Sequence, residues 1–291
     1  MTPLRAKYIR DLAIRGRAAR TQQSYTSYVV DLARHYRRSP DQISYEEVAD
    51  WLHHLIKERH LSASSVNIAV NAVRFLYGVT LGRDVEALMA SVPRMKRNTR
   101  RAEVYARSEL EAILTAPVQP RDRAFLMAVY AGGLRLSEAT HLKTTDLDRP
   151  RMQWRVREGK GGKERVLPLS TRLIAELESY WRAQRAGKPG HESCWLFLGQ
   201  KTGQPINRAT GQNIYYRAVR KSGVRRKGGI HILRHSFATH CIENGIELTV
   251  VQRLLGHSSL LTTARYLHVT AQRLGQVGSP LDLIDLSRVT R

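Results

Sequence analysis

Met152-Gln-Trp-Arg-Val-Arg157 alternates apolar and polar side chains, and Glu164-Arg-Val-Leu-Pro-Leu169 can return antiparallel to it. Gly159-Lys160-Gly161-Gly162-Lys163, lying between them, has the composition of a turn. Together they predict a β-hairpin. Around this hairpin the apolar residues recur with a helical period instead. The fold expected is mainly α with a small antiparallel β element, in two parts. The first is a helical bundle; the second is a mixed α/β domain that carries the hairpin.

Upstream, Tyr25, Tyr28, Val29, Leu32 and Tyr36 fall at helical spacing. Val48, Trp51, Leu52, Leu55 and Ile56 do the same, as do Val66, Ala69, Val70, Val73 and Tyr77. Ser44 followed by Glu47 forms a capping box at the start of the second of these helices. With a first helix near Pro3–Ile14, residues 1–92 read as a four-helix bundle. Pro93-Arg-Met-Lys-Arg-Asn-Thr-Arg-Arg101 has no apolar period and reads as a basic linker, residues 93–101. The second domain spans 102–291. Ser108 with Glu111 is expected to cap its first helix. Further helices are expected near Arg172–Gln184, Arg208–Ser222, Ile232–Asn244, Leu248–Leu255 and Leu260–Leu267.

The chain of 291 residues has 48 Lys+Arg against 25 Asp+Glu, a formal charge of +23. Residues 1–92 hold 13 basic and 9 acidic side chains, 93–107 hold six and one, and 108–291 hold 29 and 15. The surplus covers two folded parts and concentrates between them, which suits a protein that wraps a duplex. Arg94, Lys96, Arg97, Arg100 and Arg101 of the linker and Lys163 of the hairpin turn are the expected phosphate contacts. Double-stranded DNA is therefore the expected partner. An anionic membrane is a poorer one, since no basic amphipathic helix carries bulky apolar anchors. The most apolar segment, Ala124–Leu134, is far short of the ~20 residues that span a bilayer. Two cysteines, Cys194 and Cys241, make no disulfide framework, and a reduced, cytoplasmic setting is expected.

Four clusters can do chemistry. Gly132-Gly-Leu-Arg135-Leu-Ser-Glu138 places an arginine after a glycine break, where alone it reads as the i, i+3 partner of Glu138. Lys160 at the hairpin tip can deliver a proton or a charge to a phosphate, and Lys163 competes for that role. His231-Ile-Leu-Arg234 sets an imidazole and a guanidinium on one helical face. Leu254-Leu-Gly-His257 is followed nine residues later by Tyr266. Two arginines, a lysine, two histidines and a tyrosine form the set that metal-free phosphodiester cleavage requires. Arginine forks can hold the charge of a phosphorane, and a base or cationic field must activate a phenol of pKa ~10.

These boxes, with the runs His231-Ile-Leu-Arg-His-Ser-Phe-Ala-Thr-His240 and Thr262-Thr-Ala-Arg-Tyr266-Leu-His268, resemble those of the tyrosine recombinase (phage integrase) family. The likeness is to its Xer-like and integron-integrase-like bacterial members and covers nearly the whole chain. It implies an N-terminal core-binding, SAM-like helical bundle and a catalytic domain of the DNA breaking-rejoining type. It also implies roles. Tyr266 would attack the scissile phosphate and form a 3′-phosphotyrosine, while Arg135 and Arg234 hold the phosphate oxygens. Lys160 would be the general acid, His231 a general acid/base, and His257 a hydrogen-bond donor to the phosphate. Glu138 would buttress Arg135, while His235, His240 and His268 would be structural or solvent-facing. No cofactor is expected, since exchanging one phosphodiester for another needs no ATP and no P-loop is present. The family works as a homo-tetramer on DNA and is commonly monomeric off it, in some cases with a partner recombinase or accessory DNA-bending proteins. Pro280-Leu-Asp-Leu-Ile-Asp-Leu286 is a candidate segment for docking on a neighbouring protomer or on its own domain.

Three rivals remain open at this level. His231 and His235 at i, i+4 can face a zinc ion, although His240 and Cys241 fall on other faces. Glu247–Tyr266 reads as a helix–turn–helix with Gly256 in the turn, which suits a non-enzymatic DNA-binding protein. Type IB topoisomerase chemistry uses the same tyrosine attack without strand exchange.

Overall fold

In this computed structural model the residues described are 2–91, 95, 103–157, 164–201 and 203–266. The expectations for Lys160 and Lys163 with their turn, for Arg94, Lys96, Arg97, Arg100 and Arg101, and for His268 and residues 280–286 lie outside these residues. The chain divides into two compact units, Met1–Arg100 and Arg101–Arg291. Among the described residues no helix is long and apolar enough to cross a membrane.

The first unit is built from α1 (Pro3–Ile14), α2 (Ala19–Tyr36), α3 (Tyr45–Lys57), α4 (Ala63–Phe75) and α5 (Val85–Ser91). Thr2, Ser44 and Ser62 each accept a hydrogen bond from a backbone N–H in the first turn of α1, α3 and α4, satisfying donors that a helix start leaves unpaired. At α3 the Glu47 carboxylate also returns to the Ser44 N–H at 2.9 Å, which completes the capping box. The periodic residues pack together: Leu32, Val48, Trp51, Leu55, Val70 and Tyr77 are buried with Tyr8 and Leu12 of α1. Two phenols are tied down in this core, Tyr8 to the Ala72 carbonyl and Tyr77 to those of Pro40 and Ile43. The unit differs from a four-helix reading in two ways. Leu76–Thr80 continues α4 as a π-helical turn, and α5 follows as a fifth, short helix with Leu88 buried.

The second unit opens with α6 (Arg107–Thr115), α7 (Pro120–Ala131) and α8 (Leu136–Thr140). The cap of α6 lies two residues earlier than Ser108 and Glu111 predict. The Glu109 carboxylate accepts from the Ala106 N–H at 2.8 Å, which makes Ala106 the N-cap and puts Ser108 inside the helix. The strands β1 (Leu147–Asp148), β2 (Gln153–Val156) and β3 (Arg165–Pro168) form one antiparallel sheet in the order β1-β2-β3. Trp154 pairs with Leu167 and Val156 with Arg165. Along each strand the buried side chains alternate, so Trp154, Val156 and Leu167 enter the core. The two strands thus pair antiparallel as predicted, with β1 as an added edge.

After the sheet come α9 (Thr171–Gln184), α10 (Arg208–Ser222), α11 (His231–Glu243), α12 (Leu248–Leu255) and α13 (Leu260–Ala264). Ser170 and Asn207 cap α9 and α10, and Gly223 ends α10 in a left-handed conformation. The core joins Phe125 and Leu126 of α7 to Trp154, Leu167, Tyr180, Phe197, Tyr215 and Leu233. A second, smaller cluster lies along α11 and comprises Ala238, Cys241, Ile242, Val251, Leu255 and Tyr266. Helix α11 contributes to both clusters, so it is buried on more than one face. That is how a charged residue on it comes to be enclosed.

Candidate active site

The site is assembled around one carboxylate. Helix α7 ends at Gly132, and Gly133 follows with φ +53°. A Cβ on Gly133 would lie 2.5 Å from the Phe237 ring, so both the backbone angle and the close approach call for glycine here. The break turns the chain so that Arg135 becomes the N-cap of α8. The Glu138 carboxylate, three residues on, accepts from the Arg135 N–H at 2.8 Å and from its Nη1 at 2.7 Å. From β3, Arg165 adds a two-pronged bond to the same carboxylate, at 3.0 and 2.7 Å. Arg234 of α11 is a third cation, 3.9 Å away. Glu138 is only 5% exposed. Burial alone would raise its pKa, but the hydrogen bonds and charges of Arg165 and Arg135 outweigh that and hold it down to about 2.

Arg234 is 1% exposed. Its Nη1 donates to the Gly133 carbonyl and its Nη2 to that of Leu255, both at 2.7 Å. The guanidinium therefore pins the glycine break to the C-terminus of α12. Arg165 does a similar job through Nε, which donates to the Leu254 carbonyl at 2.7 Å. Burial and the neighbouring Arg135 lower the pKa of Arg234 to about 10, which leaves it charged at neutral pH.

Two histidines face this cationic cluster. His257 follows Gly256, whose φ of +64° closes α12. Its Nδ1 lies 2.9 Å from the Thr263 hydroxyl. His231 begins α11 and is exposed. Burial lowers both pKa values to about 4, helped by His235, Arg234 and Arg135 at His231 and by Arg234, Arg135 and His231 at His257. Both imidazoles are neutral at pH 7.

Tyr266, just after α13, is 4% exposed, with its ring in the small apolar cluster. Its hydroxyl lies 2.9 Å from Nδ1 of His235. Burial raises the phenol's pKa, while Arg234, Arg265 and Arg135 pull it back down.

Arg135, His231, Arg234, His257 and Tyr266 thus come together, although they span 131 positions of sequence. Lys160 lies outside the described residues, but the strands on either side of its turn are in place, and β3 supplies Arg165. Two residues of the cluster escaped the sequence reading. Arg165 closes the glycine-rich hairpin box, and its position two residues before buried Leu167 puts it on the inward face of β3. His235, expected to be structural or solvent-facing, instead bonds the phenol. Its i, i+4 relation to His231 was the available signal, and their rings meet edge to face with centroids 4.6 Å apart. His240 is structural as expected, bridging the Tyr130 hydroxyl and the Tyr105 carbonyl. Among the described residues no three His, Cys, Asp or Glu side chains gather as metal ligands.

Residues 103–273 match the model of the phage integrase family, and residues 4–87 match that of the phage integrase N-terminal SAM-like domain. A putative integrase/recombinase of Sinorhizobium fredii is 36% identical, covering 98% of this chain and 90% of the relative. The tyrosine recombinase XerA of Thermococcus kodakarensis is 33% identical over 94% of this chain and 93% of its own. Among solved structures, the XerH site-specific recombinase bound to a palindromic difH substrate, a post-cleavage complex, superposes with a TM-score of 0.71. It is 23% identical over 90% of this chain and 80% of that one, a likeness of fold.

Proposed function

The chain belongs to the phage integrase family of tyrosine recombinases, and from that premise we propose that it is a site-specific DNA recombinase acting through Tyr266. The observation that carries this reading is a buried phenol set in the field of two arginines that share one carboxylate. In the reaction, Tyr266 Oη attacks a backbone phosphorus and the bond to the 5′ oxygen breaks. A 3′-phosphotyrosine and a free 5′ hydroxyl result. The reverse attack by a 5′ hydroxyl rejoins the strand. One ester replaces another, so neither ATP nor a metal ion is needed to drive the exchange.

Arg135 and Arg234 take the charge that grows on the non-bridging oxygens. Glu138 orients both and cannot itself donate a proton near neutral pH, because its carboxyl titrates near 2. At His257, Nδ1 is paired with the Thr263 hydroxyl, which leaves Nε2 as the ring nitrogen available to donate to the phosphate. His231 serves as general acid/base, and Lys160 protonates the departing 5′ oxygen. Arg94, Lys96, Arg97, Arg100, Arg101 and Lys163 contact phosphates away from the scissile one. Exchange between two duplexes uses four chains, so the working form is a homo-tetramer on DNA, in the cytoplasm. The affinity for DNA falls steeply with salt, as phosphate neutralisation requires.

A nicked suicide substrate carrying the target site tests this reading. The wild-type chain becomes covalently trapped, and Tyr266→Phe does not; trapping by the phenylalanine variant would refute the assignment of the nucleophile. Lys160→Ala slows cleavage of an ordinary substrate far more than that of a 5′-bridging phosphorothiolate, whose sulfur leaves without a proton. Equal slowing on both would remove Lys160 as the acid. A two-site exchange assay run beside supercoil relaxation separates recombination from topoisomerase action.

A further inference from the structure

We propose that His235 is a catalytic residue, the base that accepts the Tyr266 proton during cleavage and returns it during rejoining. The inference rests on Tyr266 being the nucleophile. The contact itself is direct: Nδ1 of His235 stands 2.9 Å from the phenolic oxygen, within reach for proton transfer. The ring of Tyr266 is held by Ala238, Cys241, Ile242, Val251 and Leu255, so the bond to His235 fixes where the hydroxyl points.

Among the described residues it is His235, and not the general acid/base His231 whose ring meets it with centroids 4.6 Å apart, that is in hydrogen-bond contact with the Tyr266 hydroxyl. Arg234, Arg265 and Arg135 act on the phenol by charge, and a guanidinium takes up no proton. The Nδ1 of His257 is engaged by Thr263. In the resting arrangement the Tyr266 hydroxyl donates to Nδ1, and the proton of His235 sits on Nε2. The groups facing His235 are His231 and Arg234 on its own helix and Tyr266 and Arg265 from the end of α13. Burial first, then Arg234 and Arg265, lower its pKa, so the ring is neutral and able to accept. That cationic field opposes an imidazolium until a phosphate enters. The negative charge of the phosphate, growing as the phosphorane forms, then compensates it.

The step balances. The Oη–H bond breaks toward Nδ1 as Oη–P forms and P–O5′ breaks, and the 5′ oxygen takes its proton from the general acid. In rejoining, Tyr266 leaves as phenolate and recovers the proton from His235.

His235→Gln keeps a hydrogen-bond acceptor but not a base. Its cleavage rate on the suicide substrate falls about 100-fold, with DNA affinity unchanged and the acid limb of the pH–rate profile lost. The loss is equal on ordinary and 5′-phosphorothiolate substrates, because His235 does not serve the leaving group. A rate near that of the wild type with an unchanged profile would overturn the proposal. So would a loss that vanishes on the phosphorothiolate. Histidine ¹⁵N spectra of the wild-type chain test it without any variant at position 235: Nδ1 of His235 is unprotonated and its signal shifts in Tyr266→Phe. A protonated Nδ1 would overturn it. Trapping by Tyr266→Phe on the same substrate would instead indict the nucleophile. Absence of such trapping, beside a wild-type rate in His235→Gln, would remove only the role of His235.

Discussion

Arg185 and Arg234 are both enclosed guanidinium groups, 0% and 1% exposed, and they do different work. Arg185 sits just past α9 and donates to the carbonyls of His191, Ser193, Trp195 and Leu196. It closes a loop around itself, with neutral oxygens as its only hydrogen-bond partners among the described residues. Arg234 also bonds carbonyls, those of Gly133 and Leu255, but it lies 3.9 Å from Glu138 and acts on Tyr266 and His257. Burial of a charge therefore does not mark a reaction centre. What sets the proposed one apart is the company of other ionisable groups drawn from separate elements, here α8, β3, α11 and the end of α13.

The contrast is open to direct attack. Arg185→Ala strands several carbonyls and is expected to cost about 3–5 kcal/mol, a fall in Tm on the order of 10 °C, with cleavage by the folded fraction unchanged. Arg234→Lys is expected to do the reverse. Cleavage falls about 10²–10³-fold, since an ammonium cannot reproduce the fork, while Tm moves by only about a few degrees. Calorimetry and single-turnover trapping on the same two variants decide whether the roles separate. If Arg185→Ala lost cleavage and kept its Tm, the distinction would collapse.

Glu138→Gln comes next in size. It leaves Arg135 and Arg165 without their shared anion, at a cost of about 2–3 kcal/mol. Cleavage falls with it, which denaturant melts and trapping assays can follow together. A variant as stable and active as the wild type would show that the arginines need no carboxylate to hold them.

Much of the architecture was legible in the chain, and the misses have physical causes. The pairing of the two hairpin strands, the capping box at Ser44 and the Arg135–Glu138 pair depend on residues close in sequence, where spacing is informative. The pairing of Arg165 with Glu138, 27 positions apart, depends on how β3 meets α8. That of His235 with Tyr266, 31 apart, depends on how α13 folds back on α11. No local pattern encodes either. The start of α6 was misplaced because Ser108 looks like a cap, whereas Glu109 reaching back to the Ala106 N–H fixes the first turn. Helix α11 concealed the depth of Arg234 because it is buried on more than one face and shows little amphipathic contrast.

Acid sensitivity is expected to be smaller and to come from the histidines. His231 and His257 titrate near 4 in the folded chain against an ordinary value near 6.5, so the unfolded chain binds more protons between those values. Their contribution is complete above about pH 6.5 and is lost as the pH falls toward 4, by about 1 kcal/mol given the solvent at both rings. Glu138, with its pKa near 2 against about 4.5, keeps its contribution above about pH 4.5 and loses it as the pH falls from there toward 2. Denaturant midpoints at pH 7 and pH 5 check this, and His257→Gln should narrow the gap between them. Smallest of all is Arg59→Ala, which removes an exposed pair with Asp31 and should change stability by less than about 1 kcal/mol.

The most direct test is to digest the DNA–protein adduct trapped on a suicide substrate and locate the linked residue by mass spectrometry. The account predicts a nucleotide joined through its 3′ phosphate to Tyr266. A link to any other residue, or through a 5′ phosphate, would contradict it.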